Sequence, residues 1–330
     1  MKKILNRLIN QQTLAREEAR SVLKGLATGQ FNNSQVAAFL TVYLMRAITV
    51  EELEGFRDAM LELCNQVDIE DMNAIDVCGT GGDGKNTFNI STIASFVAAG
   101  AGVHVAKHGN YGVSSISGSS NVLEFLGVRF SGDPEQMKKS LEEAGICFMH
   151  APLFHPAMKN VGPIRKELGV KTFFNMLGPM VNPAFPPNQL VGVFNLELAR
   201  IYGYIYQNTD KQFAIVHSLD GYDEVSLTSD FKCITNTSEG MLSAREMGLP
   251  AYQPQELHGG DTIKEAANIF TKILDGEGTD AQQDVVIANA GLAIATTHQC
   301  PIEESVPKAR EALESGRAMK AFKKFLSVNS

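Results

Sequence analysis

Residues 79–91 read GTGGDGKNTFNIS: four glycines, one lysine and a run of hydroxyl and amide side chains, directly behind the apolar segment 75–78. That combination suits phosphate. Glycine reaches positive φ and lets backbone N–H groups approach a ligand closely, while Asn89, Ser91 and Thr92 stand where a helix over 90–101 should begin. Loop amides and helix N-terminus would then face one anion. Residues 107–120, KHGNYGVSSISGSS, repeat the chemistry with a cation, three glycines and five serines between a short strand and the helical stretch 122–126. Two such loops on neighbouring strands would meet at the carboxyl edge of a parallel sheet, where α/β proteins seat ligands. Asp223 and Glu224 follow the apolar strand 213–217. Magnesium commonly binds through one or two carboxylates together with substrate phosphates, which the pair could supply. Surface solvation is the plain alternative for any adjacent Asp-Glu pair.

Two common glycine motifs fit the first loop poorly. Gly79, Gly81 and Gly84 have GxGxxG spacing, but 85–89 reads as loop rather than helix, and 100–107 lacks the acidic residue that a dinucleotide site requires. Gly79, Gly84 and Lys85 are in register with a nucleoside-triphosphate P-loop. There, however, Asn86 replaces the magnesium-binding Ser or Thr and Asp83 puts a carboxylate in the cradle. A bare strand-to-helix turn explains the glycines but not the second loop.

The elements that must carry these loops alternate. Residues 16–26, 35–46 and 50–66 have apolar residues at three- and four-residue spacing and read as helices. From 74 onward short apolar strands (75–78, 104–107, 147–149, 190–193 and 213–217) alternate with helices (90–101, 122–126, 135–144 and 197–207). The fold class is α/β: a small N-terminal helical domain, then a larger domain with a mostly parallel central sheet flanked by helices. The Pro-, Gly- and Asn-rich stretch 160–187 interrupts the alternation and is expected to return to the N-terminal helices, with a hinge there. The domains are therefore placed at 1–70, joined in space by about 160–187, and at 71–330. A mixed region, 218–260, precedes closing helices at 262–274, 281–297, 307–313 and 318–326.

The 330 residues, 44% of them apolar, suffice for a sizeable core. A net charge of −8 argues against a broad basic field for nucleic acid, so phosphate affinity must be local. Five cysteines without a CxxC pair indicate neither a disulfide framework nor a zinc site. The apolar runs are too short to span a bilayer and the N-terminus lacks a continuous apolar signal core, so no membrane association and a cytoplasmic location are expected.

The chain resembles the anthranilate phosphoribosyltransferase family over nearly its whole length. GTGGD with TFNIST, KHGN followed by SS and GS, RKELGVKTFFNMLGPMVNPA at 165–184, and Asp223 with Glu224 all stand in the family's order. Four separated motifs in register are far more specific than one glycine loop. The resemblance implies transfer of phosphoribosyl from 5-phosphoribosyl 1-diphosphate to the amine of anthranilate, with release of diphosphate, in tryptophan biosynthesis. It also implies magnesium, a homodimer through the helical domain, and an active site in the cleft between the two bodies. Carried over, Gly79, Gly82, Asp83, Thr87, Asn89, Ile90, Ser91 and Thr92 would hold the donor, with Lys107, Ser115 and Ser119 completing its phosphate contacts. Ser91, Asp223 and Glu224 would bind magnesium. Asn110 and Arg165 would meet anthranilate, with His108 close by.

Several positions depart from the family's pattern: Tyr111 for a usual Arg, Ile116 for a basic residue, Ser120 and Asn121 for Ala-Asp, and Lys171 for Arg. All lie beside the implied contact residues. Arg165 is a good grip for a carboxylate because guanidinium binds both oxygens side by side. Its plain alternative is a helix-surface arginine. Anthranilate's amine is weakly basic and attacks largely unprotonated, so no catalytic residue is assigned; His108, and after it His155, is a possible base. The rival readings are a pyrimidine nucleoside phosphorylase-like enzyme and a non-catalytic, nucleic-acid-binding relative.

Overall fold

The structure, a computed structural model, describes residues 1–69, 72–112 and 118–330. In chain order its elements begin with helices α1 (Lys2–Ile9), α2 (Arg16–Ala27), α3 (Asn33–Met45) and α4 (Val50–Glu62). Next come β1 (Ile75–Gly79), α5 (Ile90–Gly100), β2 (Val105–Gly109), α6 (Ser119–Phe125), α7 (Pro134–Ala144) and β3 (Ile146–His150). The short α8 (Ala151–Phe154), α9 (Met158–Leu168) and the short α10 (Phe174–Leu177) precede β4 (Asn188–Gly192), α11 (Leu196–Tyr206) and β5 (Gln212–Ser218). The hairpin β6 (Phe231–Thr235) and β7 (Glu239–Leu242) leads to α12 (Ile263–Leu274), α13 (Asp280–His298), α14 (Ile302–Glu314) and α15 (Arg317–Val328).

One compact unit comprises Met1–Gln66 and Ala151–Pro183. Its helices start where side chains satisfy their first N–H groups: Asn32 accepts from Gln35 N–H, and Thr49 from Glu52 N–H. Glu52 then serves a second purpose. Fully buried, it accepts from Leu14 N–H at 3.0 Å and Tyr43 hydroxyl at 3.0 Å, and pairs with Arg46, so the carboxylate is not stranded. Phe173 joins Phe39, Tyr43 and Phe56 in an aromatic cluster, stacking on Phe56 at 4.5 Å between centroids.

The other unit comprises Val67–His150 and Ala184–Ser330. Its seven-stranded sheet has the order β3-β2-β1-β4-β5-β6-β7. The first five strands in that order are parallel, while β6 and β7 join antiparallel. The parallel strands are buried almost throughout, as helix-covered strands must be. Helix α13 is buried from Val285 to Ala290 and packs against α5 and α14. From β1 the chain winds outward to β2 and β3; it then returns to the other side of β1 for β4 and β5. The direction of winding therefore reverses between β1 and β4, the position where such sheets open a crevice.

The expected fold class holds, with three differences. Helix α1 precedes the periodic stretches, and β6–β7 emerges inside the mixed region 218–260. Strand β7 has mostly exposed residues and carries little apolar signal. Helix α14 starts at Ile302 rather than 307. Pro307 invites a first-turn assignment, yet it sits inside a helix whose first turn holds Glu303 and Glu304.

Candidate active site

The first glycine loop leaves the carboxyl end of β1 at the reversal point. Gly81, Gly82 and Gly84 have φ of 64°, 80° and 77°, a region that a side chain would disfavour. Thr80 N–H donates to Gly192 carbonyl at 2.9 Å, and Gly81 N–H donates to Asp223 Oδ2 at 2.6 Å. Asp83 accepts from Lys85 N–H at 3.0 Å. The loop enters α5 at Ile90, so the unsatisfied N–H groups of the first helical turn and the glycine amides belong to one short stretch.

Lys107, on β2, is 1% exposed. Its Nζ donates to Val77 carbonyl and, at 3.3 Å, to Ser91 Oγ, which ties the second loop's strand to the first turn of α5. Burial lowers the lysine's pKa, opposed by Cys78, Asp76 and Glu224. His108 N–H donates to the buried Asp76 at 3.2 Å.

The acidic pair follows β5. Asp223 is buried, and Glu224 is partly buried and bonded to Ser91. Burial pushes the Glu224 carboxyl up to about 7, with Lys107 and Ser91 pulling it back. Burial first, then Glu224 and Asp83, raises Asp223 well above the usual carboxylate range. The backbone here is moored to the core: Ser218 Oγ donates to Glu224 carbonyl at 2.7 Å. Asn289 of α13 accepts from Val225 N–H at 3.1 Å and donates back to Val225 carbonyl at 2.9 Å.

The second loop's described ends are held by their own polar groups. Asn110 carbonyl accepts from Ser119 Oγ and Ser120 N–H, both at 3.2 Å. Asn121 Oδ1 accepts from Gly112 and Gly118 N–H at 2.9 and 3.0 Å. Asn121, a departure from the family's pattern, therefore closes this loop. Tyr111, another, packs edge-on against the His150 ring at 4.8 Å and donates to Glu124 at 3.3 Å. Ser115 and Ile116 lie outside the described residues.

The first glycine loop, Ser91, Lys107, Asp223 and Glu224 thus form one constellation. Thr87, Asn89, Ile90 and Thr92 belong to its loop and helix start, and His108, Asn110 and Ser119 to the end of β2 and the start of α6. Arg165 lies on α9 in the other unit, its Nη2 donating to Asn175 Oδ1 at 3.2 Å and its guanidinium 5.0 Å from the Phe174 ring centre. Sequence reasoning passed over Asp76, Gly192 and Asn289. Only Asp76 carried a signal, as a carboxylate inside an otherwise apolar strand.

Two profiles cover most of the chain: "Glycosyl transferase family, helical bundle domain" matches residues 2–64, and "Glycosyl transferase family, a/b domain" matches residues 71–319. The sequence is 62% identical to an anthranilate phosphoribosyltransferase from Flavobacterium johnsoniae, over 100% of both chains. Among solved structures, the anthranilate phosphoribosyltransferase of Thermus thermophilus is similar with a TM-score of 0.92 and 34% identity, over 98% of each chain. That of Saccharomyces cerevisiae, in complex with PRPP and Mg, is similar with a TM-score of 0.90 and 26% identity, over 98% of this chain and 96% of the other.

Proposed function

Because the chain belongs to the anthranilate phosphoribosyltransferase family, we infer that it transfers phosphoribosyl from 5-phosphoribosyl 1-diphosphate to the amine of anthranilate, releasing diphosphate. The reaction is a step of tryptophan biosynthesis. The observation that carries this reading within the molecule is the meeting of a glycine-amide loop, Ser91 and the Asp223–Glu224 pair at the sheet's reversal point. Neither the nucleoside phosphorylase nor the non-catalytic alternative is supported by the full-length likeness.

Breaking the bond from ribose C1 to the diphosphate oxygen builds positive charge on the sugar and negative charge on the leaving group. Positioning and charge neutralisation suffice for this chemistry, and no protein nucleophile is required. The amides of Gly79, Gly82 and Asp83, with Thr87 and the α5 start from Asn89 to Thr92, bind the donor's phosphates. Lys107, Ser115 and Ser119 complete those contacts. Arg165 and Asn110 orient anthranilate, with His108 beside them, and the weakly basic amine needs no strong base.

Magnesium fits the acidic pair. Two adjacent carboxylates are both raised by burial, with Asp83 near and Lys107 opposing at Glu224, which suits a hard dication. Such an ion is commonly held by one or two carboxylates together with substrate phosphates. Ser91, Asp223 and Glu224 would hold it. When bound, the ion neutralises charge on the departing diphosphate.

The reading extends to a helical domain at 1–70 with about 160–187, a donor-binding domain at 71–330, a homodimer through the helical domain, and a cytoplasmic location. Among the described residues no helix is long and apolar enough to cross a membrane. Mixing the purified protein with 5-phosphoribosyl 1-diphosphate, magnesium and anthranilate should abolish anthranilate fluorescence. Turnover only with another aromatic amine or a nucleobase would reassign the acceptor.

A further inference from the structure

The donor loop is held from a second side by a segment to which none of these roles is assigned. Residues 257–260 run antiparallel beside 86–88: Thr87 and His258 form an isolated β-bridge. Phe88 N–H donates to Leu257 carbonyl at 3.4 Å, and Gly259 N–H donates to Asn86 carbonyl at 2.9 Å. The side chains join in. Asn86 Nδ2 lies 3.0 Å from His258 Nε2 and donates to Gly260 carbonyl at 3.1 Å, while Gly260 N–H donates to His258 Nδ1 at 3.2 Å. Gly259 has no room for a side chain: a Cβ there would lie 2.3 Å from Thr87 carbonyl oxygen and 2.7 Å from Phe88 nitrogen. The segment is itself anchored, by the fully buried Leu257 on one side and by the capped start of α12 at Thr262 on the other.

We propose that residues 257–260 are a positioning strap for the donor loop, in which His258 acts through Asn86 and Gly259 through its close backbone approach. The physical need is clear from the loop's composition. Glycines surrender the most conformational freedom on ordering, and three of them here sit at positive φ, so unsupported amides would sample many arrangements before meeting a phosphate. Asp223 fixes the loop at Gly81, and the strap fixes it at Asn86 to Phe88, on the far side of the Gly82–Asp83–Gly84 turn. Two pins on either side of such a turn preorganise it.

The inference rests on the assignment of this loop to the phosphoribosyl donor. Full-length His258→Ala, Asn86→Ala and the double variant should each raise the KM for 5-phosphoribosyl 1-diphosphate about 10-fold, as loss of an orienting partner does, with kcat and the anthranilate KM within about twofold. Because the two residues act as one device, the double variant should be no worse than the worse single one. His258→Gln, which keeps a hydrogen-bonding side chain, should recover part of the loss. Amide hydrogen exchange across 79–91 should speed up in His258→Ala before any substrate is added, which reads the loop even if a variant is inactive. An unchanged donor KM, parallel losses for both substrates, multiplying effects in the double variant, or unchanged exchange would overturn the strap. Calorimetric titration of the wild type with the donor separates the two readings: absent binding there overturns the donor-loop assignment and the strap with it.

Discussion

The Asp223 carbonyl oxygen fills the position that a side chain on Gly192 would need, since a Cβ there would lie 1.5 Å from it. Gly79 yields similarly to the carboxylate, at 2.4 Å from Asp223 Oδ2. The glycines that end β1 and β4 thus clear the gap into which the acidic loop docks. Gly192→Ala should displace Asp223 and cost activity about 100-fold, a penalty expected of a misplacement near 1 Å. Far-UV circular dichroism should remain native, and a magnesium titration of the rate should shift to higher concentration. Unaltered magnesium dependence would count against Asp223 as a ligand.

Burial pushes the Glu224 carboxyl up to about 7, against an ordinary value of 4.5, so that a magnesium ion held there as proposed would compete with a proton near neutrality. Apparent magnesium affinity should weaken as the pH falls through that value. For the metal-free protein the sign is opposite to that of an ordinary salt-bridged carboxylate. The native state holds a proton that the unfolded chain releases, so this group's contribution is full below 4.5 and is lost as pH rises toward about 7. Urea midpoints of wild type and Glu224→Gln across that range measure it. The variant should show the shallower decline with pH.

Arg165→Gln keeps most of the side chain's bulk and removes its charge. Losing a charge-assisted grip on a carboxylate costs about 1.5–3 kcal/mol, so the anthranilate KM should rise about 10- to 100-fold. Donor binding, followed by calorimetry, should be unchanged. Equal losses for both ligands would assign Arg165 to the scaffold.

Phe173 comes late in the chain yet stacks on Phe56 of the first helices. Phe173→Ala should therefore lower stability by about 3–5 kcal/mol, measured by chemical denaturation, through lost burial and the cavity left behind. A change below about 1 kcal/mol would show that the site collapses around the gap.

The order of elements was legible because apolar strands and amphipathic helices differ in period, and the loops because glycine, lysine and serine cluster in them. The mooring of those loops was not legible. Asn289 lies in a helix whose residues are buried nearly all round, so nothing in its neighbours sets it apart from core, and its partner Val225 is remote in sequence. His258 and Gly259 fall unmarked within the mixed region 218–260, because a close backbone approach leaves no mark beyond the glycine itself. Tyr111 and Asn121 read as departures, and only the folded chain reveals the Glu124 and loop-closing bonds that they make.

Asn289 uses both ends of its amide on Val225, immediately after the acid pair, and also donates to Val285 carbonyl at 2.8 Å within its own helix. A side chain so fully engaged cannot drift. The backbone beneath Asp223 and Glu224 is therefore bolted to a helix buried along most of its length, and the proposed cation seat stands ready before either reactant arrives. Little ordering is then left to be done there during turnover.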